Sequence, residues 1–78
     1  MALEDEVITV VSRVINVPIT ELTVSSGLGD TKGWDSLNHT ILVLELENAF
    51  DVAFDFDELD SIVTVGAIAM SLKKKLCS

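Results

Sequence analysis

An all-α fold, a small four-helix bundle with a long first loop and a short third helix, is what this 78-residue chain predicts. Three observations carry that expectation. Apolar residues recur with helical period in three separate segments. The middle segment, from Leu37 to Phe50, contains neither glycine nor proline. Pro18, Gly27, Gly29 and Gly33 instead gather in one stretch between the first two segments. The length suits one domain, residues 1–78, able to bury about 60–65% of its unfolded surface. Its net stability should be modest, roughly 5 kcal/mol or less.

The first helix is expected over residues 3–15, with Leu3, Val7, Val10, Val11 and Val14 on one stripe. Glu4, Asp5 and Glu6 suit its N-terminal dipole. The run Val7-Ile8-Thr9-Val10-Val11 is β-branched enough for a strand, but it lacks strict alternation, and period decides for helix. A loop follows over residues 16–35, long for so small a domain. Leu22, Val24, Leu28 and Trp34 are the side chains expected to pin it. The second helix spans residues 37–50, with Ser36 as its N-cap. Asp51-Val52-Ala53-Phe54 leads into a short third helix over residues 57–62. The last helix covers residues 65–76, capped by Thr64, with Val65, Ile68, Ala69, Leu72 and Leu76 inward. Lys73, Lys74 and Lys75 complement its C-terminal dipole and read as a solvated helix end.

Composition excludes several functions. A net charge of −8 argues against nucleic acid and anionic membrane, and for partners with basic surfaces. The acidic N-terminus is unlike a signal peptide, and no apolar run approaches the length needed to span a bilayer, so no membrane insertion is expected. The single cysteine, Cys77, excludes an internal disulfide and fits a reducing cytoplasm. It is placed on a frayed tail with no role. Asp51, Asp55, Asp57, Glu58 and Asp60 do not make a metal site: counting from Asp55, an EF-hand would need a ligand at Leu59 and glycine at Asp60.

The run Gly33-Trp34-Asp35-Ser36-Leu37 carries the chemistry. It places a serine where a turn becomes a helix, hydroxyl outward, with an aspartate just before it. A helix start presents unsatisfied N–H groups and partial positive charge, which suit a phosphate. Asp-Ser-Leu opening a helix, in a small and very acidic chain, resembles the acyl carrier proteins. The resemblance covers nearly the whole chain and makes sense of the long loop. It implies a non-enzymatic carrier whose Ser36 is esterified by 4′-phosphopantetheine from coenzyme A, the arm's thiol holding an acyl group as a thioester. It also implies a phosphopantetheinyl transferase, using Mg²⁺, to which Asp35 and Leu37 contribute contacts. Acyl- or aminoacyl-loading ligases or transferases and synthase enzymes follow as further partners, with the carrier a cytoplasmic monomer. Ser36→Ala is expected to abolish carriage and remove a cap of about 1 kcal/mol.

The second helix is apolar on two sides. His39, Leu42, Val43, Leu46 and Phe50 cluster on one, and Leu37, Ile41, Leu44 and Asn48 nearly opposite. Either this helix is enclosed by the other three, or the Leu37-Ile41-Leu44 stripe is a docking face. The second reading is favoured because the stripe begins beside Ser36. Ile41, Leu44, Glu45 and Asn48 are therefore the expected partner-facing residues. Fatty-acid carriers bear more acids on the equivalent helix. This chain has Ile41 and Asn48 where such acids are expected, and keeps Asp35, Glu45, Glu47 and Asp51. The departure points to apolar recognition and a specialised lipid, polyketide or modified-fatty-acid pathway. Leu42, Leu46, Phe50, Ile62, Ile68 and Leu72 form the core or line the acyl chain.

Trp34 reads as a loop anchor and His39 as a partly buried packing residue. A serine hydrolase is excluded: there is no Gly-x-Ser-x-Gly elbow, no second histidine and no oxyanion loop. An aminoacyl, peptidyl or D-alanyl carrier is the first alternative, although a Gly-Gly pair before the serine is missing. An unmodified helical interaction module is the second. Met1 and the lack of a flanking linker suggest a freestanding protein.

Overall fold

The structure is a computed structural model describing residues 3–77. Met1 and the side chain of Cys77, on which two expectations rested, lie outside the described residues. The described residues form three α-helices: α1 (Leu3–Ile15), α2 (Ser36–Phe50) and α3 (Val65–Cys77). Two 3₁₀ turns, Ile19–Glu21 and Phe56–Glu58, interrupt the connections. No strand occurs among the described residues, only an isolated bridge between Gly27 and Thr64.

The expected short third helix is not an α-helix. Residues 57–62 are instead the end of the Phe56–Glu58 turn and further turns. A helix this short cannot sustain itself without extensive packing. Asp55, Asp57, Glu58 and Asp60 crowd like charges along it, and only Ile62 is fully buried there. Glu58 ties the segment down differently. Its carboxylate accepts from Lys75 Nζ at 2.9 Å and from the Ser71 hydroxyl at 3.3 Å, both on α3. The Lys75 hydrogen bond, first of all, holds the Glu58 carboxyl below its usual pKa. Lys75 also lies 5.3 Å from the centre of the Phe54 ring. So the lysine run is not simply a solvated helix end: its last member clamps the α2–α3 connection.

α1 packs against both α2 and α3. Val7, Val10, Val11 and Ile15 meet Leu42 and Leu46 of α2, and Val65, Ile68, Ala69 and Leu72 of α3, in one buried cluster. α1 thus makes the main contacts with both other helices, and α2 keeps one side exposed. Two residues expected inside are outside: Val24 and Leu76 are about half exposed. Leu76 lies on the final turn of α3.

The long loop is held by backbone as much as by side chains. Leu22 and Trp34 are buried and Leu28 half-buried, while Val24 contributes its carbonyl, which accepts from Gly66 N–H. Leu28 N–H donates to Val63 and Val65 N–H to Ser26, stitching the loop to the start of α3. This closeness requires glycine at 27, where a Cβ would lie 2.6 Å from the Val63 carbonyl oxygen. Thr64 caps α3, accepting from Ala67 N–H at 3.1 Å.

Candidate functional site

The start of α2 is built by its own neighbours. Gly33 has φ +86, a conformation that side-chain-bearing residues rarely adopt, and a Cβ there would meet the Ile15 carbonyl at 3.0 Å. Trp34 then turns into the core with 1% exposure. Asp35, in extended conformation, is the N-cap, its side chain accepting from Asn38 N–H at 2.9 Å. The Asn38 side chain reaches back to the Gly33 carbonyl. The expectation that Ser36 caps the helix is therefore corrected. Both residue types cap well; the extended backbone falls one residue earlier. Ser36 is the first helical residue and is exposed, and among the described residues no hydrogen bond engages its hydroxyl.

That position suits a phosphoester. The hydroxyl lies on the first turn, where free N–H groups and the helix dipole favour negative charge. Asp35, the acid nearest Ser36 in sequence, directs its carboxylate to the Asn38 N–H. From this turn, Leu37, Ile41 and Leu44 run along α2 with 72%, 42% and 56% exposure. Glu45 and Asn48 are exposed on the same side.

A second surface begins one turn on. His39, Thr40, Val43 and Leu44 of α2, with Leu28, Leu59, Asp60 and Val63 from the connections, line a largely apolar groove of about 390 Å³.

Residues 5–71 match the family model for the phosphopantetheine attachment site. The chain is 31% identical over 74 residues to the acyl carrier protein of Amoebophilus asiaticus, covering 95% of this chain and 92% of that one. It is 35% identical to the acyl carrier protein of Thermotoga maritima, over 87% of this chain and 84% of the relative. Against that of Sulfurovum sp. identity is 39%, over 85% and 88%. The chain belongs to the acyl carrier protein family. It is a carrier protein, and its prosthetic group is a covalently attached 4′-phosphopantetheine.

In this carrier the other nominated residues divide clearly. Leu42, Leu46, Ile62, Ile68 and Leu72 are fully buried core, Phe50 packs at its margin, and none of the six lines the groove. The groove's apolar wall comes from Leu28, Val43, Leu44, Leu59 and Val63. Sequence reasoning missed Leu28, Val43, Leu59 and Val63 as lining residues. A signal existed for Val43, which lies at the edge of the inward face by helical angle, where a half-buried residue is expected. Glu47 is not available to partners in the way its charge suggested, because its carboxylate accepts from Phe54 N–H at 2.9 Å. That bond, with the left-handed Asp51, turns the chain at the end of α2. His39 is half-buried and bonded to Trp34 rather than Ser36, its Nδ1 accepting from the indole N–H at 2.9 Å. Burial lowers its pKa. Among the described residues no group of acids, histidine or cysteine is arranged for a metal, and no helix is long and apolar enough to cross a membrane.

Proposed function

We propose that Ser36 is the attachment point of the 4′-phosphopantetheine and that this carrier holds acyl intermediates as thioesters for a specialised lipid, polyketide or fatty-acid-like synthesis. One observation carries the reading: an exposed serine, its hydroxyl engaged by no other group among the described residues, stands on the first turn of α2 inside the stretch matching the attachment-site family. The group supplies a thiol on a long tether, so each enzyme meets its substrate at high effective concentration.

This chain's residues hold and present that tether. Asp35 and Asn38 lock the first turn, keeping the Ser36 hydroxyl directed away from the core for a phosphopantetheinyl transferase. Leu37, Ile41 and Leu44 give that enzyme and the later loading and synthase enzymes an apolar footing, rimmed by Glu45 and Asn48. The apolar character of this footing supports a pathway other than one relying on dense acid–base pairing. The groove of Leu28, Val43, Leu59 and Val63 shelters apolar parts of the cargo. The carrier works as a single-domain monomer in the cytoplasm, a compartment its lone cysteine suits.

Intact mass before and after incubation with coenzyme A, Mg²⁺ and a phosphopantetheinyl transferase tests the assignment. One phosphopantetheine should add to the parent and none to Ser36→Ala. An equal gain on both would place the attachment elsewhere.

A further inference from the structure

His39 holds a polar atom to which the carrier role gives no use. The residue lines the groove, and its Nε2 is shut off from solvent with no hydrogen-bond partner among the described residues. The other ring nitrogen fixes where the proton sits. An indole N–H can only donate, and that of Trp34 lies 2.9 Å from His39 Nδ1. Nδ1 therefore presents a lone pair, and the neutral ring carries its proton on Nε2. Burial favours that neutral form. The two rings lie edge to edge, 28° apart in plane with centroids at 6.1 Å, so the hydrogen bond between them sets the imidazole's orientation. What results is a buried N–H donor of fixed tautomer without an acceptor, a condition native proteins seldom keep without reason. The Thr40 hydroxyl, also on the groove, is not a free donor, since its one proton already goes to the Ser36 carbonyl at 3.1 Å.

Resting on the reading of Ser36 as the attachment point, we propose that His39 Nε2–H is a hydrogen-bond donor to a carbonyl oxygen of the group carried on Ser36, fixing the position of that group in the groove. Ser36 and His39 stand three residues apart, which makes them neighbours on the helix surface. Leu28, Val43, Leu59 and Val63 offer apolar contact but no hydrogen bond from their side chains, so a carbonyl entering the groove needs a donor such as this one. The arm's amides and the acyl thioester each bring a carbonyl. Nε2 is covered by its neighbours, so an acceptor reaches it only if they give way.

The test uses histidine-labelled protein in three forms: unmodified, bearing the arm, and bearing a hexanoyl thioester, each verified by intact mass. Long-range proton–nitrogen spectra report the tautomer and the exchange of the Nε2 proton. Loading should move that resonance downfield and slow its exchange roughly tenfold, as one hydrogen bond of ordinary net strength supports. A change already present with the arm assigns an arm amide as acceptor; a change that appears only with the hexanoyl group assigns the thioester. Trp34→Phe, which removes the indole N–H, should mix the tautomers and reduce the protection several-fold. Identical His39 spectra in all three mass-verified forms would overturn the inference while leaving the attachment at Ser36 intact. A parent protein that gains no arm would contradict the attachment reading itself, and the inference with it.

Discussion

The two long sides of α2 are built from the same kinds of residue and have opposite fates. Leu42 and Leu46 are completely buried, whereas Leu37 and Leu44 are mostly exposed and Ile41 is 42% exposed. Leucine therefore does not decide its own environment here. The decision lies with α1, which covers one side of α2 and contacts α3 as well. Among the described residues no further helix covers the other side. A domain this small leaves a stripe of apolar surface beside Ser36, and that stripe is what a carrier visiting several enzymes can present.

The contrast breaks most sharply at Leu46. Leu46→Ala removes fully buried atoms and should destabilise the fold by about 2–5 kcal/mol, read by chemical denaturation. Leu44→Ala on the other side should change stability by less than about 0.5 kcal/mol. Similar losses at both positions would mean that the two sides are equally covered. Next in size is Asp35→Ala, which deletes the cap on Asn38 N–H and should cost about 1 kcal/mol. Ser36→Ala, being past the cap, should stay within about 0.5 kcal/mol of the parent. The reverse ranking would return the cap to Ser36.

A smaller effect depends on pH. Burial lowers the His39 pKa from 6.5, so the unfolded chain binds this proton more readily than the folded one. Its contribution to stability is complete above pH 6.5 and is lost as pH falls through the lowered folded value. Between about pH 7.5 and 5.5 the parent should lose more stability than His39→Gln, whose amide can still accept from Trp34 and does not titrate. Parallel pH profiles would show that His39 titrates as it does unfolded.

Much of this division was legible in the sequence, and for physical reasons. The angular separation of Leu37, Ile41 and Leu44 from Leu42 and Leu46 follows from helical period alone. The acidic segment before Ile62 reads as a longer helix than the 3₁₀ turn it forms, because a few apolar residues at helical spacing do not reveal whether anything packs against them. The groove was invisible because Leu28, Leu59 and Val63 come from connections whose course is set by backbone bonds, such as Leu28 N–H to Val63, rather than by periodicity. The Trp34–His39 bond was hidden likewise, since it joins a loop residue to a helix residue five positions on.

The most direct measurement follows arm addition over time by intact mass, comparing the parent with Ile41→Glu under the same transferase, coenzyme A and Mg²⁺. Ile41→Glu should keep stability within about 0.5 kcal/mol, because its side chain covers no core, yet load at least roughly tenfold more slowly, the equivalent of about 1.4 kcal/mol of lost docking. Loading at the parental rate by an equally stable Ile41→Glu would contradict the account, leaving the exposed side of α2 without the docking role given to it.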